Sequence, residues 1–146
     1  PKSRGHVHLR SADPAGPPAI SPNLLAHPED MAAMVAGQRF FIRAFQNAPL
    51  AGRIKRLALP DPGKLDDAAL AAHCRRFVKT NYHPASTARM GADDDPMAVL
   101  DARLRVRGIQ GLRVADMSAV PDINAGNTNA PAMMLGNRCA DFILGA

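Results

Sequence analysis

Tryptophan is absent from this chain of 146 residues, and Phe and Tyr together make up 4% of it. So few aromatic side chains leave little for nucleic-acid bases to stack on. The net charge of +5 does not restore a nucleic-acid reading, because the basic residues are scattered. Only Arg53, Lys55 and Arg56, and the pair Arg75-Arg76, form small clusters. Cysteine is equally scarce. Cys74 and Cys139 give no CxxC and no disulfide framework, and they read as buried free thiols of a reducing compartment. No apolar run approaches the ~18 residues of a membrane helix. There is no internal repeat, and the 13 prolines are dispersed, which excludes a polyproline rod. The opening Pro1-Lys2-Ser3-Arg4 has neither a secretory leader pattern nor an initiator Met, so we expect the chain to begin inside a larger protein. GxGxxG between a strand and a helix, GxxxxGK(S/T), HExxH and GxSxG are all missing. These residues therefore carry no Rossmann phosphate site, P-loop, zincin helix or nucleophile elbow.

What is present is an apolar content of 47%, ordinary for a globular domain of this length. Residues 5–11 alternate between breakers and read as a strand, and Ala19 to Asn23 as a second short extended piece. His27-Pro28-Glu29-Asp30 opens a helix, with Pro28 and the two acids suited to a first turn. Met31, Met34, Val35, Phe41, Ile42 and Phe45 continue it at helical spacing until Asn47-Ala48-Pro49. The methionines there, like Met133 and Met134 later, are expected in the core. Arg53 to Leu59 reads as extended. Asp66 or Asp67 caps a second helix running to about Phe77, on which His73 is a packing or surface residue. Val99-Leu100-Asp101 and Arg105-Val106-Arg107 are short extended pieces about a turn, and Leu112 to Asp116 is expected to be a buried strand. Thr128 or Asn129 caps a last helix with Pro131 just inside it and Met133, Met134, Leu135, Cys139, Phe142 and Ile143 as its apolar positions. Strands and helices are mixed without βαβ repetition, which favours an α+β fold.

Chemistry could sit at a few places. Pro84 disfavours helix at His83, which puts that imidazole in a loop, where a neutral ring can take a proton from an alcohol. Taken alone, a His before Pro is more often a plain turn residue. His27-Pro28, which introduces a helix, is the case in point. Asn127, Thr128 and Asn129 offer donors and acceptors at a helix start, where ordinary capping is the simpler account. Asp116 and Ser118 follow the expected strand, and turn formation is their simpler account. His6 and His8 lie two apart on a strand and can share a face, but no third metal ligand is evident. Asp93-Asp94-Asp95 lacks the spacing of a calcium loop and reads as a solvated acidic turn.

Each signal is weak alone, but their order is specific. The ordered set comprises Ser3-Arg4-Gly5-x-Val7-x-Leu9, Pro22-Asn23, His27-Pro28-Glu29-Asp30, His83-Pro84, Thr87, Arg89-Met90-Gly91 and Val99-Leu100-Asp101. It continues through Arg105-Val106-x-Gly108, Gly111-Leu112-Arg113-Val114-x-Asp116-x-Ser118, Pro121 and Gly126-Asn127-Thr128-Asn129-Ala130-Pro131. It resembles the C-terminal part of the glucose–methanol–choline (GMC) flavin-dependent oxidoreductases, in a choline-dehydrogenase-like branch. The resemblance implies an antiparallel sheet with helices on one face, the substrate-binding domain, over residues 1–97. Residues 98–146 would add a strand and helix that complete the FAD-binding domain. It implies oxidation of an alcohol CH–OH group by a dehydrogenase or oxidase, with hydride passing to flavin N5, His83 as base and Asn127 on the same oxygen. Asp116, Met117, Asn127 and Thr128 would lie near FAD. The GxGxxG portion lies outside this chain, so FAD is not expected on this stretch by itself, which would be inactive and prone to self-association. The implied partners are a small-molecule alcohol and the FAD domain of the same protein, in a cytoplasmic setting, with membrane association of the full enzyme left open. No metal and no nucleic acid are implied. Three positions depart from the family pattern: Ser86 replaces a usual Gly, Ala88 a frequent Cys, and Asn137 a frequent Glu. Glycine at position 86 would permit a backbone that Ser adopts less readily. Two other readings compete, a stand-alone non-catalytic binding module and a metal-dependent hydrolase using His6, His8 and His83.

Overall fold

Asp30 fastens the beginning of the chain to its first helix. In the computed structural model, which describes residues 1–56, 58, 60–61 and 65–145, the Asp30 carboxylate accepts the backbone N–H groups of Lys2 at 2.8 Å and Ser3 at 2.7 Å. It also accepts the Ser3 hydroxyl, while Ser3 Oγ in turn accepts the His27 N–H at 3.0 Å. The helix it belongs to, α1, spans Pro28–Phe45. Its start follows the sequence: Nδ1 of His27 accepts the Glu29 N–H at 3.2 Å, Pro28 occupies the first turn, and Glu29 and Asp30 face the positive end of the helix dipole. α1 stops just before Asn47-Ala48-Pro49, as expected.

Compactness divides the chain into two units, Pro1–Lys79 and Thr80–Ala146. The break falls ahead of residue 97, the boundary expected between enzyme domains. Backbone bonds explain it, since Gly91 N–H reaches the Leu100 carbonyl and Leu100 N–H the Arg89 carbonyl, tying residues on both sides of 97 together. Which enzyme domain each stretch completes is a separate question.

In the first unit, strands β1 (His6–His8) and β2 (Ala19–Ser21) form an antiparallel pair with Val7 opposite Ile20. A side chain at Gly5 would run into the Ser21 carbonyl and the Pro22 backbone, so the close approach at the start of β1 requires glycine. The rings of His6 and His8 share a face, 4.6 Å apart. Among the described residues, this hairpin is the whole of the regular sheet, smaller than the sheet the family resemblance implies. Helix α2 (Asp67–Phe77) is capped by Asp66, which accepts the Ala69 N–H at 2.9 Å. It buries Leu70 and Cys74 and packs on α1, with Arg39 paired to Asp67. His73 stacks on Phe77 at 4.5 Å, a packing role. Burial raises the Cys74 thiol pKa, in keeping with an unreactive core thiol. The extended run expected from Arg53 to Leu59 does not form over its described part. Ala51–Arg53 is a 3-10 turn, closed by the bond from Arg53 N–H to Leu50 carbonyl, and Ile54 to Arg56 are irregular; Leu57 and Leu59 lie outside the described residues.

The second unit holds a core of Leu100, Leu104, Met117, Ala119, Leu135 and Cys139. Its extended pieces join by single bridges: Met90 to Leu100, Leu100 to Val106, and Arg105 to Arg113. The expected pieces at 99–101 and 105–107 thus pair, but the buried strand expected from Leu112 to Asp116 is absent. Only Arg113 bridges a neighbour, and Leu112 is 47% exposed: residues 104–106 pair with 112–114 through two backbone bonds, Val106 N–H to the Leu112 carbonyl and Val114 N–H to the Leu104 carbonyl, too short a match for a ladder. The acidic loop is anchored rather than merely solvated, with Asp95 on Arg89 at 2.7 Å and Asp93 on Arg107 at 2.9 Å. A Cβ on Gly91 would meet Asp95 and Ala98. Burial pushes the Asp101 carboxyl up, but the Arg105 backbone and guanidinium and the Arg103 N–H more than offset it and hold the group below the ordinary carboxylate range. Helix α3 (Asn129–Leu144) follows, buries Leu135 and Cys139, and ends at Gly145 with φ of 78°. Of the methionines expected in the core, Met34, Met133 and Met134 are exposed. One face of α1 or α3 can meet the small core of its unit, and these residues lie off that face. Among the described residues no helix is long and apolar enough to cross a membrane.

The Ser3 hydroxyl and the Lys2 and Ser3 N–H groups hold Asp30 well below its ordinary value of 3.8. Its stabilising contribution is therefore complete above that value and is lost only as pH falls through the depressed folded-state value. Hydrogen exchange at the Lys2 and Ser3 amides should accelerate in Asp30→Asn at neutral pH. In the wild type, protection should persist to pH values below the normal Asp range, and loss of protection at pH 4 would contradict the anchor. Ser86 sits at φ of +71°, in the left-handed region. Ser86→Gly should relieve the strain and raise stability by about 0.5–1 kcal/mol after the extra chain entropy of glycine, seen as a thermal midpoint a few degrees higher. A lower midpoint would mean that the serine side chain holds more than the backbone costs.

Candidate active site

The segment from Asn81 to Gly91 has no regular structure of its own, yet its path is set by backbone bonds. Ser86, Ala88 and Met90 donate their N–H groups to the carbonyls of Met117 at 3.0 Å, Ser118 at 3.0 Å and Ala119 at 2.8 Å. Those carbonyls belong to a 3-10 turn, Met117–Ala119, which Asp116 caps by accepting the Ser118 N–H at 2.7 Å. The turn packs on α3, with Met117 and Ala119 buried in the core it shares with Leu135. Met117 is thus a core residue as well as a site candidate. Tyr82, just before the histidine, is also in the left-handed region, with φ of 62°. These two positive-φ residues bracket His83-Pro84-Ala85 and bend the loop over the start of α3.

There His83 meets Thr128. Nδ1 of the half-buried imidazole lies 2.8 Å from Thr128 Oγ1. Thr128 is 8% exposed, a buried polar residue at the N-terminal end of α3. Asn127, one residue earlier, is exposed, and among the described residues no hydrogen bond links its side chain to His83. A cleft of about 350 Å³ opens beside this contact, lined by Pro84, Ala85, Thr87, Asp116, Met117, Ser118 and Ala132. Of the residues singled out from the sequence, the fold brings His83 to Thr128 and puts Asp116 and Met117 in the neighbouring cleft. Asp116 is also the turn former that its position in the sequence suggested. Ala85 and Ala132 were not singled out; small apolar walls leave no signal in one sequence.

The electrostatics suit an electron-rich ligand. The first turn of α3 carries no acidic side chain, and Thr128 makes no side-chain cap bond, so the N–H groups of Asn129 and Ala130 have no intrahelical acceptor. Pro131 contributes no N–H at all. A helix start of this kind, beside a half-buried imidazole and a mainly apolar cleft, can hold a flat, electron-rich group with one polar edge toward the helix. No three potential metal-binding side chains converge among the described residues.

Known proteins give this geometry a context. The C-terminal family model described as GMC oxidoreductase matches residues 1–136. An alcohol dehydrogenase (acceptor) from Pseudomonas putida is 42% identical over 144 residues, covering 99% of this chain and 26% of the relative. An oxygen-dependent choline dehydrogenase from Rhizobium johnstonii is also 42% identical, with the same coverage of 99% and 26%. Among solved structures, pyridoxine 4-oxidase from Mesorbium loti superposes with a TM-score of 0.91 at 29% identity, covering 100% of this chain and 28% of that one. Formate oxidase from Aspergillus oryzae RIB40, in a structure concerned with FAD modification, gives 0.86 at 31% identity, covering 97% and 24%. The chain spans about a quarter of the length of the relatives it matches. With nearly all of its length matched by the family model and by relatives of this identity, the chain belongs to the C-terminal part of the GMC oxidoreductase family.

Proposed function

We propose that this chain is the C-terminal catalytic part of an FAD-dependent alcohol dehydrogenase or oxidase, with His83 as base and Asn127 as its partner on the substrate oxygen. The observation that carries the reading is the contact between His83 Nδ1 and Thr128 Oγ1 at the start of α3, one residue from Asn127. It leaves Nε2 facing away from Thr128. At Nε2 the ring takes the proton of the alcohol hydroxyl, and the Asn127 amide donates to the oxygen as negative charge builds on it. His83 acts only if it is held in place before reaction, and the bonds from Ser86, Ala88 and Met90 to the turn at 117–119 fix the loop that carries it. Bound FAD supplies the hydride acceptor, at flavin N5. The N–H groups of Asn129 and Ala130 and the cleft wall at Met117 and Ala132 would suit one edge of such a ring, and Asp116, Met117, Asn127 and Thr128 would be the residues that hold it.

The domain assignment belongs to the same proposal. Residues 1–97 would complete a substrate-binding domain and 98–146 an FAD-binding domain whose glycine-rich part lies outside this chain. Exposed apolar side chains support it: Phe40, Phe41 and Phe45 on α1, and Met133, Met134, Ile143 and Leu144 on α3. Expressed alone, the chain would not oxidise alcohols and would tend to self-associate.

The test uses the full-length protein. Its visible spectrum should show bound flavin, bleached anaerobically by one or more of choline, ethanol and benzyl alcohol. His83→Ala should slow bleaching by about 10²-fold or more, and Asn127→Ala by about 10²-fold, with the flavin still bound. A colourless folded protein, or bleaching at the wild-type rate in His83→Ala, would overturn the reading.

A further inference from the structure

Thr128 stands where a helix cap should be and does not cap. Its backbone is helical, with φ of −87° and ψ of −5°, whereas capping residues are usually extended. A capping hydroxyl accepts an N–H from the second or third helical residue. The third here is Pro131, which has none. The second, Ala130, has one, but no side-chain cap bond forms, so the acceptor capacity of Oγ1 is not claimed by α3, although Thr128 is buried and its hydroxyl needs a partner. That partner is Nδ1 of His83.

A neutral imidazole has one ring nitrogen that donates and one that accepts, and the bond made by one fixes the role of the other. A threonine hydroxyl can serve either nitrogen state. Proton uptake discriminates between them. Once His83 carries two protons, both nitrogens donate and Oγ1 must accept. If Nδ1–H already donates to Oγ1 in the neutral ring, the hydroxyl keeps one orientation throughout and Nε2 is bare. In the other tautomer the hydroxyl has to donate, and Nε2 already holds the proton it should receive. We propose that Thr128 is a positioning residue that holds neutral His83 protonated at Nδ1 and bare at Nε2. This rests on His83 being the base. When the alcohol reacts, its O–H bond breaks and an Nε2–H bond forms, giving an imidazolium whose Nδ1–H is still donated to Thr128. Pro131 is the second part of the device, because an N–H there would compete for Oγ1.

Ring-¹⁵N-histidine NMR of the intact flavoprotein, at a pH where the ring is neutral, reads the tautomer without turnover; the signal lost in His83→Asn assigns it. The wild type should be protonated at Nδ1. Thr128→Val should shift much of the population to the Nε2-protonated form and slow flavin reduction by the best of the three alcohols about tenfold, less than loss of the base itself. Thr128→Ser, which keeps the hydroxyl, should restore both. A wild-type ring protonated mainly at Nε2, or a tautomer unchanged in Thr128→Val, would overturn the proposal. Wild-type flavin reduction in His83→Asn would overturn the catalytic reading instead, while the tautomer in Thr128→Val would still decide the role of Thr128.

Discussion

Three backbone bonds organise the second unit. The N–H groups of Ser86, Ala88 and Met90 lie on the carbonyls of Met117, Ser118 and Ala119. They join a loop with no secondary structure of its own to the turn that packs on α3. Without them His83 would sit on a free segment, and its contact with Thr128 would carry the entropy of ordering that loop. With them the ring is delivered to the helix start. The geometry demands a left-handed backbone at residue 86, and this chain meets it with serine rather than glycine.

The packing beneath these bonds is economical. Six buried hydrophobic residues form the core of the second unit, two of them from α3 and two from the turn at 117–119. Much of the remaining apolar surface of α1 and α3 is open. Regular sheet is almost absent among the described residues, and single bridges stand where ladders would be. Such a layout is what a part of a larger enzyme presents, in keeping with the quarter of its relatives' length that the chain spans. The same thrift explains why the site lies on irregular backbone held by a few well-placed bonds.

How much of this could be read from the sequence depended on whether the deciding interaction is local. The starts of the helices were legible because their chemistry is written within four residues: His27 before Pro28, Asp66 before Ala69, Pro131 after Thr128. The ends of the extended pieces were not, since a strand exists only if another segment lies beside it. Leu112 to Asp116 has the composition of a strand and finds one bridging partner. Core membership of Met34, Met133 and Met134 failed for a related reason: helical spacing marks an apolar face but not what covers it. At the site, the residue types at His83, Asn127 and Asp116 drew attention through their order along the chain. The bond from His83 to Thr128 spans 45 positions and left no local trace. The strain at Ser86 was foreshadowed, because a position that usually holds glycine signals a backbone demand.

The central proposal is that His83 and Asn127 act as one unit on one oxygen, with His83 seated on Thr128, the residue after Asn127. A double-mutant cycle on the anaerobic rate of flavin reduction measures this directly, using His83→Ala, Asn127→Ala and the double variant. The account predicts strong non-additivity, with a double variant little slower than His83→Ala alone and a coupling close to the whole Asn127→Ala effect, about 2–3 kcal/mol. Additive effects, each residue slowing the reaction regardless of the other, would contradict it.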